Sequence, residues 1–282
     1  MARLIIEAGR TERQYWRDLW RYRELFVFLA WRDLLIRYKQ TSVGVAWAVL
    51  RPFLTMLVLT LMMKFSKLPG DGSSPLPLFV YCAMLPWQFF STALSESGSS
   101  LVTNSNLISK VYFPRLVVPA SSVITSFVDF AIASAFTALM MIWFRFLPPL
   151  NIVALPVFVL LTFGASFGAG LWVAALMVKY RDFRFVVPFM VQFGLYALPV
   201  FIMTSKVPET WLFHGTWPVP VRMLYSLNPV VGIIDGFRWS ILGGNNLIYW
   251  PGQIASIVGV VVLVTTGLWY FRKTERSFAD VI

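Results

Sequence analysis

Two residue types that build many metal sites and covalent cross-links are almost missing from this chain. It has one cysteine, Cys82, and one histidine, His214, among 282 residues. A single cysteine excludes an internal disulfide and a cysteine-based zinc site. A single histidine excludes metal sites that need a pair of histidines. We therefore expect no metal site of these kinds and no cofactor bound by this chain.

Charged residues are also scarce. Only 13% of the residues are charged, 58% are hydrophobic, and the mean hydropathy is +0.70. A soluble domain has roughly twice that charged share. The net charge of +11 could indicate nucleic-acid binding. In so apolar a chain, anionic lipid headgroups and loop topology explain it better. The composition predicts an integral membrane protein with no nucleic-acid partner.

Six apolar runs have lengths near the ~20 residues that cross a bilayer. They cover about Val43–Phe65, Leu78–Ser99, Val117–Phe144, Ile152–Val178, Val186–Met203 and Trp250–Phe271. Pro52 is expected to kink the first run. We predict an all-α membrane protein in which residues 1–282 form a single transmembrane domain. Residues 1–40 form a cytoplasmic interface region, 41–272 a six-span bundle, and 273–282 a cytoplasmic tail.

The first forty residues are basic and amphipathic. No apolar stretch follows a short basic start, so we do not expect a cleaved signal peptide. Apolar side chains recur there at helical spacing, opposite most of the arginines. They are Tyr15, Leu19, Tyr22, Phe26 and Leu29. This pattern predicts a helix over about Gln14–Leu29 that lies in the membrane interface rather than crossing it.

The basic residues orient the predicted spans. Most of the 24 lysine and arginine residues lie in the first forty residues, the second-to-third loop, the fourth-to-fifth loop and the tail. With six spans, all four segments fall on the same side of the membrane. The positive-inside rule makes that side cytoplasmic. We expect both termini to be cytoplasmic.

The segment Ser205–Gly244 is too long for a turn and too apolar for a free loop. Asn228 can cap a short helix, Pro229 suits its first turn, and Gly243 or Gly244 can stop it. Such a helix is too short to cross the ~30 Å hydrocarbon core. Irregular backbone at membrane depth must be surrounded by protein or by a water-filled cavity. We therefore expect a re-entrant or interfacial helical hairpin that borders a pathway.

Catalytic motifs are missing from the chain. There is no G-x-x-x-x-G-K-[ST] loop to hold ATP phosphates. Asp71 and Glu209 stand alone in the predicted external loops, without the paired carboxylates of a membrane glycosyltransferase. We therefore expect no enzyme activity in this chain.

A few ionisable residues fall within or near the predicted spans. Asp129 lies in the middle of a span and is the best proton-relay candidate, because charges inside a membrane are costly. A structural hydrogen bond or ion pair, with Arg51 as one option, is the favoured alternative. Glu96 lies near a span end and is expected to be solvated. Asp235 and Arg238 are expected to pair at i, i+3.

Aromatic residues make up 17% of the chain. Trp and Tyr collect at membrane interfaces whatever the function, and this explanation stays open. The functional hypothesis is that some aromatic rings line a wide path and stack on sugar rings. The candidates are Trp47, Trp87, Phe89, Phe90, Phe193 and Tyr196.

The segment NSNLISKVYFPRLVVPA, Asn104–Ala120, interrupts the apolar runs. Asn104 or Asn106 can cap a short helix there, and Pro114 ends it. Its apolar side chains fall on one side: Leu107, Ile108, Val111 and Tyr112. A cytoplasmic helix with an exposed apolar face binds a partner protein or rests on lipid headgroups. The composition leaves both alternatives open.

Six motifs, in order along the chain, resemble the permease subunit of the type-2 ABC exporters of O-antigen, capsular and teichoic-acid polysaccharides. They are RDLLIRYKQTSVGVAWAVLRP, PLFVYCAMLPWQFFS, NLISKVYFPRLVVP, KYRDFRFVVPFMVQ, SLNPVVGIIDGFRWSILG and FRKTERSFADVI. The resemblance implies that two copies form a channel in the bacterial inner membrane. It also implies two separate cytoplasmic ATPase subunits, which bind ATP and Mg. The implied substrate is a polysaccharide on an undecaprenyl-pyrophosphate carrier.

The resemblance also implies roles for regions of the chain. Asn106–Arg115 matches the coupling helix that contacts the ATPase, and about Val219–Leu242 matches an external gate. The coupling candidates are Asn106, Leu107, Ile108, Lys110, Val111, Tyr112 and Arg115. The gate candidates are Asn228, Pro229, Asp235 and Arg238. Arg37 and Lys39, near the lipid entrance beside the N-terminal helix, are the candidates that meet the pyrophosphate.

Two alternatives stay open at this point. One is a teichoic-acid or drug-exporting ABC permease of the same family. The other is a proton-coupled secondary transporter, which needs no ATPase and depends on Asp129. An ATPase that co-purifies through Asn106–Arg115 would support the ABC exporter. Proton-driven flux by this chain alone would support the secondary transporter.

Overall fold

The computed structural model describes residues 12–39, 44–67, 70–197, 199, 204, 221–244, 248–275 and 278. The regular secondary structure of these residues is helical. The helices are α1 (Glu12–Arg21), α2 (Arg23–Lys39), α3 (Ala46–Phe65), α4 (Leu76–Thr103), α5 (Ser105–Lys110), α6 (Val117–Trp143), α7 (Leu155–Lys179), α8 (Phe183–Ala197), α9 (Val221–Ser226), α10 (Pro229–Leu242) and α11 (Trp250–Thr274). A 3-10 helix, Leu150–Ala154, leads directly into α7.

Five of the described helical segments are long and apolar enough to cross a membrane: α3, α4, α6, α7 with its 3-10 turn, and α11. They match the first four predicted spans and the last one to within a few residues. The predicted fifth span begins in α8, which is apolar but has only 15 residues. The rest of that prediction, residues 198 and 200–203, falls outside the described residues.

The N-terminal region contains two helices where the sequence predicted one helix over Gln14–Leu29. They meet at Tyr22, where hydrogen bonds continue from Tyr22 N to Asp18 O (3.0 Å) and from Phe26 N to Tyr22 O (3.1 Å). The second helix, α2, runs on to Lys39 and packs against α6. Because α2 extends ten residues beyond the predicted end at Leu29, Arg37 reaches the membrane bundle.

Prolines and basic residues mark the ends of several helices. Proline lies in the first turn of α4, α7, α10 and α11, where its missing N–H costs no hydrogen bond. Lysine or arginine lies in the last turn of α3, α5, α7 and α11, where a positive charge opposes the negative end of the helix dipole. Pro52 lies inside α3, and the helix continues through it.

Helix α4 is the centre of the bundle. Most of its side chains are buried, and it packs against α3, α6, α7 and α10. Small residues of α7 allow close approach to its neighbours. A β-carbon on Gly168 would lie 2.7 Å from the Val264 nitrogen, and one on Gly170 would lie 2.7 Å from Ser97 Oγ. These contacts bring α7 against both α4 and α11.

One end of the bundle is closed by a second apolar cluster. It joins α2, α5 and the start of α6 to the last turns of α4, α7 and α11. Leu29, Ile108 and Phe271 are among its buried members. We call this the α5 end. The first forty residues, the second-to-third loop and the tail were predicted to share one side, and this cluster brings their described parts together.

The opposite end, which we call the α10 end, carries the predicted short helix. Asn228 Oδ1 accepts a hydrogen bond from Val230 N (3.1 Å), Pro229 is in the first turn, and Gly243 ends α10 with a φ of 75°. Helix α10 packs against α4, α7 and α11. Its 14 residues are too few to cross a membrane. Residues 205–220, the first part of the predicted hairpin, fall outside the described residues.

Candidate functional site: an arginine cluster beside a membrane cavity

Arg37, near the end of α2, lies between carboxylates from two different membrane helices. Its Nη2 donates to Glu96 Oε1 on α4, and its Nη1 donates to Asp129 Oδ2 on α6. The three side chains are between 26% and 32% exposed. We call these residues the Arg37 cluster. It fastens α2 to α4 and α6 through one guanidinium.

Each carboxylate of the cluster has a second hydrogen-bond donor. Ser126 Oγ donates to Glu96 Oε2 at 2.9 Å. The Tyr38 hydroxyl donates to Asp129 Oδ1. Burial acts to lower the pKa of Arg37, but the two carboxylates outweigh it and raise that pKa. Burial, reinforced by Asp129, also raises the pKa of the Tyr38 hydroxyl. Arg37 therefore stays positively charged and Tyr38 stays a donor at neutral pH.

A cavity of about 300 Å³ opens beside the Arg37 cluster, between α2, α3, α4 and α6. Its polar lining is Arg37, Tyr38, Arg51, Gln88, Thr92, Glu96, Ser126 and Asp129. Its apolar lining includes Trp47, Pro52, Leu85, Phe89 and Phe130. Guanidinium groups bind phosphates through paired N–H donors. The cavity therefore combines two arginines and two carboxylates with an apolar wall.

Of two sequence-based expectations about this cluster, one is confirmed and one is wrong. Asp129 forms an ion pair inside the bundle, as the favoured alternative predicted, and its partner is Arg37 instead of Arg51, the option named there. Glu96 was expected to be solvated, yet it pairs with Arg37 and accepts from Ser126. The reason is the length of α2, which the sequence analysis ended at Leu29.

The two predicted pyrophosphate candidates lie in different surroundings. Arg37 lines the cavity. Lys39 is the last residue of α2 and its side chain is exposed, outside the cavity lining. Arg51, which the sequence analysis considered only as a partner for Asp129, lines the cavity from α3.

The predicted channel aromatics fall into two groups. Trp87 and Phe89 are 7% and 2% exposed and pack in the core of the chain, and Phe90 is partly buried against it. Three others have side chains that are more than half exposed: Trp47, Phe193 and Tyr196. Stacking on a passing ligand requires an exposed ring. Of the six predicted aromatics, only Trp47, Phe193 and Tyr196 therefore have rings that are accessible to a ligand in the single chain.

The predicted coupling segment is a helix of six residues, α5, followed by an extended residue at Val111. Ile108 is buried and Leu107 is partly buried in the cluster at the α5 end. The exposed side chains of the segment are Asn106, Ser109, Lys110, Val111 and Tyr112. The predicted apolar face is thus divided: its first half holds the segment on the bundle, and its second half projects outward. Lys110, Val111 and Tyr112 therefore form a short exposed protrusion, and the buried Ile108 packs the segment against the bundle.

Asn104 precedes α5, but its side chain does not cap that helix. Its amide nitrogen donates to Ser100 O (2.9 Å), and its oxygen accepts from Arg32 Nη2 (2.8 Å). Arg32 also pairs with Asp33 at 2.7 Å. Asn104 therefore ties the start of the coupling segment to α2.

The other end of the coupling segment is tied to α11 and α1. The Arg115 main-chain N donates to Glu275 Oε1 (2.8 Å), and its guanidinium donates to the Glu275 main-chain oxygen. The Arg272 guanidinium lies 4.7 Å from the centre of the Tyr15 ring. Burial raises the pKa of Glu275, against the opposing effect of the Arg115 hydrogen bond. We call these four residues the Glu275 clasp.

At the α10 end, Arg238 is fully buried. Its Nε donates to Phe79 O (3.3 Å), its Nη1 donates to Pro199 O, and its guanidinium carbon lies 3.8 Å from the centre of the Phe79 ring. None of these described hydrogen bonds goes to Asp235, the partner expected from the sequence. Asp235 Oδ1 has no hydrogen-bond partner among the described residues. Arg238 therefore joins α10 to main-chain oxygens of α4 and of the segment after α8.

The sequence analysis missed several residues of these sites, among them Arg32, Tyr38, Ser126 and Glu275. Their partners are 72, 91, 30 and 160 residues away along the chain. No periodic pattern reaches that far. The signals that were available are the charge of Arg32 in a helical run and the acidic Glu275 among the basic residues of the tail.

Together these features define a helical membrane protein with several membrane-spanning segments, a cavity between them that is lined by charged and apolar side chains, and an exposed segment at one end. The chain belongs to the ABC-2 type transporter family, whose sequence profile matches residues 24–242. That stretch contains the Arg37 cluster, the coupling segment and α10.

Relatives match over nearly the whole chain. The chain is 27% identical over 266 residues to the O-antigen export system permease protein RfbA of Myxococcus xanthus, covering 94% of this chain and 98% of the relative. It is 23% identical over 269 residues to an O-antigen export system permease protein RfbA of Klebsiella pneumoniae, covering 92% and 95%. The similarity therefore extends beyond the family profile at both ends.

Proposed function

We propose that this protein is the channel-forming permease of an ATP-driven ABC exporter for O-antigen or capsular polysaccharide. Two copies form the channel in the bacterial inner membrane, with both termini in the cytoplasm and with two cytoplasmic ATPase subunits bound. Family membership and the end-to-end similarity to O-antigen export permeases support this function. A teichoic-acid or drug exporter would share the family but not the O-antigen export function for which these relatives are named.

The observation that carries the substrate proposal is the cavity with Arg37 and Arg51 beside an apolar wall. A polysaccharide carried on undecaprenyl pyrophosphate presents a densely charged headgroup next to a hydrocarbon chain. Guanidinium groups suit the headgroup, and the apolar wall suits the first part of the lipid. We propose that the pyrophosphate enters here, from the side of the membrane that holds the α5 end.

The coupling proposal rests on the exposed half of the α5 segment. Lys110, Val111 and Tyr112 project from a base that Ile108 and the Glu275 clasp hold on the bundle. A partner that pushes on these exposed residues moves α5, α6 and α11 together, because the segment leads into α6 and Arg115 is bonded to Glu275 at the end of α11. ATP and Mg are bound by the partner subunit in this mechanism, since the chain has no phosphate loop.

Transport by the reconstituted complex tests the function. The permease and its cognate ATPase are placed in vesicles with a lipid-linked glycan, and ATP-dependent movement of the glycan is measured. Arg37→Gln should slow transport about tenfold or more, because close charge pairs contribute at least that factor. Lys64→Gln, at an exposed residue of α3, is the matched control and should leave transport unchanged. Equal rates for wild type and Arg37→Gln would contradict the cavity proposal.

The same vesicles separate the exporter from a proton-coupled transporter. Asp129 is engaged by Arg37 and Tyr38, which fits a structural ion pair. The exporter predicts no flux from the permease alone under a proton gradient and full dependence on ATPase and ATP. Proton-driven flux without the ATPase would contradict the proposal.

A further inference from the structure

Helices α10 and α11 approach each other closely through small residues. A β-carbon on Gly232 of α10 would lie 2.2 Å from Ser256 Oγ of α11. A β-carbon on Gly259 of α11 would lie 3.3 Å from Pro229 Cβ of α10. Small residues allow helix backbones to come this near. We call the contact of Pro229 and Gly232 with Ser256 and Gly259 the α10–α11 seam.

Two buried polar side chains of α11 lie at this seam with their hydrogen bonds unmade. Gln253 is 4% exposed, and neither its amide nitrogen nor its amide oxygen has a hydrogen-bond partner among the described residues. Ser256 is fully buried, and its Oγ also lacks a partner in that part of the chain. A β-carbon on Gly232 would lie 3.4 Å from Gln253 Oε1, so the amide oxygen of Gln253 reaches α10.

The unpaired state of these groups costs free energy in the folded protein. Other serines of the bundle donate to a main-chain oxygen of their own helix, as Ser121 does to Val118 O (2.8 Å). Ser256 makes no such bond within the described chain. The close contact of Gly232 with Ser256 also leaves no room for a water molecule between them. A buried polar group without a partner destabilises the arrangement that buries it.

The two sides of the seam are fastened to different parts of the molecule. Arg238 holds α10 to main-chain oxygens of α4 and of the segment after α8. At its far end, α11 is tied to the coupling segment, because Arg115 N donates to Glu275 Oε1 (2.8 Å). In the proposed mechanism, a push on the coupling segment therefore moves α11 relative to an α10 that stays with α4. Such a movement opens the seam and uncovers the two unpaired side chains.

We propose that Gln253 and Ser256 form a binding site for hydroxyl groups, which α10 covers in this structure and which fills when α11 moves away from α10. A hydroxyl group both donates and accepts, so hydroxyl groups satisfy the amide of Gln253 and the Oγ of Ser256 alike. Water and the sugar hydroxyls of a passing glycan share this chemistry. The inference rests on the proposed function, because it takes an exported polysaccharide as the passing ligand.

Thermal unfolding of the purified permease in detergent tests the unpaired groups without ATPase or glycan. Gln253→Met keeps an unbranched side chain of similar length, and Ser256→Ala removes only the oxygen. Each should raise the thermal midpoint by about 2–4 °C, because the cost of burying an unpaired polar group is lost. Ser121→Ala is the matched control and should not raise the midpoint, since the buried Ser121 hydroxyl has a partner. If neither Gln253→Met nor Ser256→Ala raises the midpoint, the inference fails.

Export by the reconstituted complex tests the site in use. Gln253→Met and Ser256→Ala should slow ATP-dependent export severalfold, and Ser121→Ala should not, because only the first two leave the opened seam without its hydroxyl-binding groups. A higher glycan concentration for half-maximal export would assign the bound hydroxyl to sugar, and a lower maximal rate alone would assign it to water. Wild-type export by both variants would overturn the inference. A wild-type complex that exports no glycan would instead contradict the proposed function, and the midpoint comparison would still decide whether the groups are unpaired.

Discussion

Arg37 and Arg238 are the same side chain in two different settings. Arg238 is fully buried and donates to main-chain oxygens, of Phe79 in α4 and of Pro199 after α8, which can move away only if the backbone itself moves. Arg37 donates to side-chain carboxylates and borders a cavity. Side chains can change rotamer, so the bonds of Arg37 are exchangeable and those of Arg238 are fixed. This contrast is why we assign ligand contact to one and architecture to the other.

The Glu275 carboxyl leads to a prediction about how the stability of the fold depends on pH. Burial raises its pKa above the usual 4.5, so the folded chain binds the carboxyl proton more tightly than the unfolded chain does. The stability that this proton contributes is complete below about pH 4.5 and is lost as the pH rises through the raised value. Glu275→Gln cannot titrate, so its thermal midpoint should change less across that range than the midpoint of the wild type.

The measurement is thermal unfolding of the purified protein in detergent, followed by tryptophan fluorescence at a series of pH values. Glu24→Gln, at an exposed residue of α2, is the control and should keep the pH profile of the wild type. Parallel profiles for wild type and Glu275→Gln would show that the Glu275 carboxyl does not titrate in this range.

At the scale of elements, the coupling segment predicts opposite results for neighbouring residues. Lys110→Glu and Tyr112→Ala change exposed side chains, so they should uncouple ATP hydrolysis from export and leave thermal stability nearly unchanged. Ile108→Ala opens a cavity in the cluster at the α5 end and should cost about 2–5 kcal/mol of stability. The readouts are ATPase activity, glycan export and thermal midpoint for the same preparations. Thr103→Ala, at an exposed residue of α4, serves as the control.

Two results would contradict the proposal that the α5 segment couples ATP hydrolysis to export. If Lys110→Glu and Tyr112→Ala leave export and ATP hydrolysis coupled in the assembled complex, the partner grips another surface. A loss of stability in Tyr112→Ala as large as in Ile108→Ala would assign the tyrosine to the fold.

The sequence predicted the long helices well and the polar clusters poorly, for a physical reason. An apolar run near twenty residues long is a local signal, and α3, α4, α6, α7 and α11 each carry one. The cap of α10 at Asn228 is local too, and it is confirmed. The pairs of Arg37 with Glu96 and Asp129 join residues 59 and 92 positions apart, which only helix packing brings together.

The position at which α2 ends decides whether the Arg37 cluster can be predicted from the sequence. The apolar stripe from Tyr15 to Leu29 is visible in the sequence, but the α2 residues beyond it have a mixed pattern. Packing of α2 on α6 and the ion pairs of Arg37 support these last turns. Tertiary contacts of this kind are absent from any periodicity argument, so the cluster could be assigned only from the structure.

At the scale of the whole molecule, the exposed aromatics test whether a channel forms between two copies. Phe193→Ala and Tyr196→Ala remove exposed rings from α8. If these rings contact the moving glycan, export should slow severalfold with little loss of stability, since stacking contributes about 1 kcal/mol per ring. Phe89→Ala, within the core, should instead lower stability by about 3–5 kcal/mol.

Vesicle export and thermal unfolding of the same variants provide the measurement. Val262→Ala, at an exposed residue of α11, is the control for a change on the lipid-facing surface. Normal export by both α8 variants would place these rings against lipid and would argue against an aromatic path along α8.

The Arg37 cluster also has a consequence for how the chain is made. Ribosomal synthesis delivers α2 and α4 to the membrane before α6, so Arg37 can meet Glu96 while Asp129 is still missing. Until the helix that carries Asp129 is inserted, the interface helix is fastened to the bundle by a single ion pair. The arrival of α6 then completes the cluster and, with it, one wall of the cavity. The proposed anion site is thus among the later parts of the N-terminal half to form, and a nascent chain stopped before residue 117 would carry an arginine with only one of its two acidic partners.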